Sequence, residues 1–137
     1  MRPEFGSLHV RIYVILAALS CGLGGVILTG QEQRFSAPTF AQARALVEWW
    51  PFAPPWALWG TMFVLYGTAL ALAFGRPIAV HVVRFGMVPY LFFTITILFS
   101  GFADIRASLT GVVAYSTFFA LHAVVADHLA HRSWAGC

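Results

Sequence analysis

"WALWGTMFVLYGTALALAF", Trp56–Phe74, contains no charged side chain. A helix of about 20 apolar residues crosses the ~30 Å hydrocarbon core of a bilayer. This stretch therefore reads as a membrane-spanning helix. Three further runs have the same character: about Leu8–Leu28, Phe85–Phe102 and Ser108–Leu129. The segments between the second, third and fourth runs, 75–84 and 103–107, are short and imply antiparallel neighbours. One long connection, 29–55, separates the first two runs.

Composition points the same way. The 137 residues are 60% hydrophobic, 16% aromatic and 9% charged, with a mean hydropathy of +0.80. A soluble domain carries about 25% charged residues, so this chain lacks the polar side chains to cover a soluble surface. The expected fold class is an all-α integral membrane protein. It would be a four-helix transmembrane bundle forming one domain over residues 1–137, with a short interfacial helix in the first loop.

All eight basic residues are arginine, and they are scattered rather than gathered into a stripe. That argues against nucleic acid as a partner and for a role in topology. With both termini inside, Arg2, Arg11, Arg76, Arg84 and Arg132 fall inside and Arg34, Arg44 and Arg106 outside. The excess favours cytoplasmic termini and placement in the cytoplasmic membrane. Arg2 and Arg11 before "VILAALSCGLGG" also resemble the start of a secretory signal, but the apolar run continues to Leu28, as a retained span would. Cys21 and Cys137 are too far apart in sequence to suggest a disulfide framework.

The long connection carries its own pattern. Ser36 suits a helix cap and Pro38 a first helical turn. Phe40, Ala43, Val47 and Trp50 then share one helical face, and Arg44 and Glu48 are spaced to pair. Pro51, Pro54 and Pro55 end the segment. An amphipathic helix over about 37–50 is expected at the outer membrane surface. Its anchors would be Phe40, Val47, Trp49, Trp50, Trp56 and Trp59, since tryptophan favours the headgroup level. It would either pack over the bundle as a lid or contact lipid or a partner.

Within the spans, Ala17, Cys21 and Gly25 recur every four residues, as do Ser20 with Gly24 and Ala18 with Gly22. Gly60, Gly67 and Ala71 share a face of the second span. Small residues so spaced let helices approach closely in lipid, either inside the bundle or between protomers. Thr96, Ser100, Tyr115 and His122 are the intramembrane polar residues, with Ser108 and Gly111 on the face of Tyr115. His122 is the one ionisable group well inside a span, which makes it a functional candidate; a neutral histidine bonded to a neighbouring hydroxyl is the plainer reading. Asp127, His128 and His131 are of metal-ligand type, but no second cluster completes a site. Pro89 should kink the third span, and Asp104 can cap the fourth.

No nucleophile–base pair, phosphate loop or paired carboxylate is present in the sequence. The expectation is a non-enzyme with no cofactor and no metal. The stretch "SAPTFAQARALVEWWPFAPPWALWGTMFVLYGTALAL", Ser36–Leu72, combines a Ser/Pro-started amphipathic segment with an aromatic, "WG"-containing span. With the all-arginine composition and small size, the layout resembles the four-span holin-like membrane proteins of actinobacteriophage lysis cassettes. The resemblance covers the arrangement of the whole chain and carries over no functional residue. It implies oligomerisation in the cytoplasmic membrane followed by a permeabilising lesion. A non-catalytic accessory or structural subunit of a larger membrane complex is the alternative, and a small transporter using His122 a third.

Overall fold

Inside a bilayer no water is present to bond backbone N–H and C=O groups, so each crossing segment must satisfy its own, as a helix does. The apolar runs follow this rule. The computed structural model describes residues 8–35, 37–103 and 110–134. Its α-helices are α1 (Leu8–Phe35), α2 (Ala41–Ala45), α3 (Pro55–Ala73), α4 (Ala79–Ala103) and α5 (Thr110–Trp134), with a 3₁₀ turn at Pro38–Phe40. No strand occurs among the described residues. Stretches of α1, α3, α4 and α5 are long and apolar enough to span, namely Leu8–Gly30, Pro55–Ala73, Ala79–Phe102 and Gly111–His131. Their large apolar side chains also point outward, including Val14, Leu65, Phe85, Phe99 and Val113. A helix apolar on all sides belongs in lipid. The chain is an all-α, multi-pass membrane protein.

The helices pack as two tight pairs, α1 on α3 and α4 on α5. In the first pair the backbones approach through small residues. A Cβ on Gly24 would lie 2.6 Å from the Gly60 carbonyl oxygen, and one on Gly67 would lie 2.8 Å from that of Ala17. Cys21 fills the remaining space at Gly67. The second pair is aromatic: Phe93 meets Tyr115 at 5.1 Å and Tyr90 meets Phe118 at 5.3 Å between ring centroids. Further rings join the pairs, with Trp59 edge-on to Phe93 at 4.5 Å and Phe63 against Phe93 at 5.3 Å.

Several boundaries differ from the sequence reading, and α5 runs on to Trp134, past Leu129. α1 runs on to Phe35, well past Leu28, and α4 begins at Ala79 instead of Phe85. His81 and Arg84 sit exposed on that added part of α4, where long polar side chains can reach water while the helix continues. The expected interfacial helix over 37–50 shrinks to the 3₁₀ turn and the five residues of α2. Its interruption has a local cause. The Ala43 carbonyl accepts the Trp59 indole N–H at 2.9 Å, while the Val47 N–H donates to Arg44 at 3.0 Å. The four-residue ladder is thus broken at Ala43. Pro89 lies well inside α4, ten residues from its start. The expected caps Ser36 and Asp104, the arginines Arg2 and Arg106, Ser108 and Cys137 lie outside the described residues.

Candidate functional site

All four tyrosines of the chain, Tyr13, Tyr66, Tyr90 and Tyr115, are buried in the bundle. A tyrosine in lipid needs a partner for its hydroxyl, and Tyr13 and Tyr90 have one. The Tyr13 O–H donates to the Leu70 carbonyl at 2.7 Å, tying α1 to α3. The Ser20 hydroxyl donates to the Leu16 carbonyl at 2.7 Å. Its oxygen is therefore free to accept from the Tyr90 O–H, also 2.7 Å away. That bond joins α1 to α4 across the two helix pairs.

His122, fully buried, completes the cluster. Its ring lies 4.9 Å from that of Tyr90 and 5.7 Å from that of Tyr66. Nδ1 sits 2.6 Å from the Phe118 carbonyl oxygen, which can only accept, so Nδ1 carries the proton. In neutral His122 the other nitrogen, Nε2, is then an acceptor. It has no partner among the described residues, and neither does the Tyr66 hydroxyl. One unfilled acceptor and one unfilled donor thus share the bundle centre. The expected bond from His122 to a neighbouring hydroxyl is replaced by one to its own helix. The Tyr66 hydroxyl end packs onto Gly86 of α4, where any side chain would collide with it.

Of the other expected intramembrane polar residues, Thr96 and Ser100 are bonded as structural hydroxyls, and the Tyr115 ring packs on Phe93. Thr96 donates to Phe93 at 3.0 Å and Ser100 donates to Thr96 at 3.0 Å. Ser100 also accepts the Gln42 N–H at 3.3 Å, fastening α2 to α4. Ser20, Tyr13, Tyr66 and Tyr90 were missed as members of a polar core. The sequence signal for such a core is the single tyrosine in each of the four apolar runs.

The small-residue positions separate. Ala17, Cys21, Gly60 and Gly67 lie in the α1–α3 contact. Gly25 does not: a Cβ there would meet nothing within 4 Å, and Gly24 takes the inward place. Ala71 is exposed. The pattern of small residues every four is also met by Ser20 and Gly24, and only packing chooses between the adjacent glycines.

The anchors separate too. Phe40 and Val47 pack against the bundle, and Phe40 faces Phe93 at 6.3 Å. Trp56 is half-buried. Trp59 does not face outward but is buried in the core, 7% exposed, with its indole bonded to Ala43. Trp49 and Trp50 project outward with Phe52, stacked edge to face at 5.5 and 5.6 Å. Arg44 donates to the Ala37 carbonyl at 3.1 Å.

At the far end, His9 of α1 stacks flat on His128 of α5, with centroids 3.6 Å apart and planes within 1°. Asp127 and His131 approach to 3.4 Å beside them. Parallel rings aim their in-plane nitrogen lone pairs side by side and not at a common point, so His9 and His128 do not share an ion in this arrangement. No protein-family model, no curated protein and no solved structure matches the chain.

Proposed function

We propose that the protein acts by self-assembly in the cytoplasmic membrane, with both termini cytoplasmic, as a holin-like permeabilising protein. The supporting observation is the outer face of α5. Val113, Thr117, Ala120 and Val124 are all exposed and alternate at spacings of four and three. That is the seam of a left-handed helix pair. Small and β-branched side chains there permit close approach of a second copy in lipid. α5 is also the span least covered by its own chain, with 22% of its apolar window buried against 39% for α3 and α4. Gly24, Gly60 and Gly67, by contrast, are already used inside the bundle in the α1–α3 contact.

The second reading, an accessory subunit docking through the same face, is favoured by a different observation. Among the described residues, the hydroxyls of Thr29, Thr68 and Thr117 on the outer surfaces bond back to their own helices. They leave few polar groups to line a water path.

The test uses the full chain without its native cysteines, reconstituted in dye-loaded vesicles. Oxidation should link two copies through Ala120→Cys and not through Leu72→Cys on α3. Dye release should accompany it and fall with Ala120→Trp. Linked copies with no dye release would favour the accessory reading. Linking through Leu72 alone would overturn the assembly face.

A further inference from the structure

Between α3 and α4 the wall of the bundle is open. A groove of about 940 Å³ runs from Ile78 and His81, near the α3–α4 turn, past Leu65 and Phe85 toward Ala53. That lies near the top of the range of about 300–1,000 Å³ for small-molecule sites. Tyr66 forms part of its wall, held in place by the contact of its ring with Gly86. Apart from Thr61, Tyr66 and His81, every lining residue is apolar.

The dimensions select the occupant. The α3 residues lining the groove run from Ala57 to Ala69. Those twelve steps cover about 18 Å at 1.5 Å per residue. One leaflet of the hydrocarbon core is about 15 Å deep, so the groove can hold a lipid chain through its leaflet. Dividing about 940 Å³ by about 18 Å gives a mean section of about 50 Å². A helix 10–12 Å across needs about 80–110 Å². A second copy of a spanning helix is too thick, whereas an acyl chain is slender enough.

Charge selects the head group. The turn carries exposed Arg76, and the first turns of α4 carry exposed His81 and Arg84. No acidic residue occurs between Gly75 and Phe102. Arginine binds phosphate through paired N–H donors. We infer that the α3–α4 groove is a binding site for an anionic phospholipid, with an acyl chain along Leu65 and Phe85 and the phosphate held by Arg76 and Arg84 beside His81.

The experiment is native mass spectrometry of the full chain in neutral detergent. The sample is titrated with dioleoyl phosphatidylglycerol or dioleoyl phosphatidylcholine, which share their chains. The phosphatidylglycerol adduct should be retained preferentially, by about fivefold for each arginine engaged. Arg76→Gln with Arg84→Gln, both on exposed positions, should bring the two lipids to equal retention. Ala69→Trp and the milder Ala69→Leu should lower retention of both lipids by narrowing the groove. Equal retention of both lipids by the unaltered protein would overturn the inference. So would a preference that survives the arginine changes. Retention of both lipids left unchanged by the two Ala69 changes would place the lipid on the surface charges alone and would overturn the groove as its site.

Discussion

The Tyr90 hydroxyl on α4 lies 2.7 Å from the Ser20 hydroxyl on α1, and through this bond the α1–α3 pair is tied to the α4–α5 pair. Ser20 keeps its own bond to Leu16, so loss of the Tyr90 hydroxyl leaves no buried donor stranded. Interhelical side-chain bonds in membranes average about 0.6 kcal/mol and reach about 1.7. Tyr90→Phe should therefore destabilise the bundle by about 1 kcal/mol. Ser20→Ala should cost more, since it leaves the buried Tyr90 O–H without its acceptor, and the double variant should cost less than the sum of the two. Reversible unfolding of the protein in detergent measures all three, and strictly additive losses would contradict a direct Ser20–Tyr90 coupling.

Tyr66 behaves differently from Tyr13, although both are buried. The Tyr13 hydroxyl is bonded to Leu70 and that of Tyr66 is unpartnered. A buried donor without an acceptor costs about 1–3 kcal/mol. Tyr66→Phe should thus leave stability unchanged or raise it, while Tyr13→Phe should lower it by about 1 kcal/mol. Thermal unfolding of the two variants side by side checks the contrast.

Gly86 is constrained by that same tyrosine. A methyl group there would occupy the space of the Tyr66 ring end. Overpacking of this kind costs about 1–3 kcal/mol. Gly86→Ala should be destabilising alone and largely tolerated together with Tyr66→Leu, which removes the obstacle. Melting temperatures of the single and double variants report it.

The neighbouring glycines of α1 should respond in opposite directions. Gly24→Ala places a methyl group 2.6 Å from the Gly60 oxygen and 2.7 Å from Val64, so the α1–α3 pair must separate. Gly25→Ala meets nothing within 4 Å and gains up to about 1 kcal/mol of helix propensity. Helix-pair stability, followed by disulfide trapping between α1 and α3, should fall in the first and hold or rise in the second.

The sequence by itself determined the class of the protein. Four apolar runs of spanning length leave backbone groups no solution but helices in lipid, and the structure places a helix over each. It also determined that α1 and α3 carry small residues for close approach. What it did not determine is which of two adjacent glycines faces the partner helix, since a spacing of four is satisfied by both registers. Nor did it mark Trp59 as a core residue. A tryptophan near a span end normally rests among headgroups, but here the Ala43 carbonyl offers its indole a bond inside the fold. That same bond shortened α2 against the helical pattern of 37–50. The buried Ser20–Tyr90–His122 cluster likewise exists only in three dimensions, because its members come from three helices. Local periodicity fixes what each segment must be in lipid. Which side chains turn inward is decided by partners distant in sequence, through bonds and contacts that exist only once the helices pack.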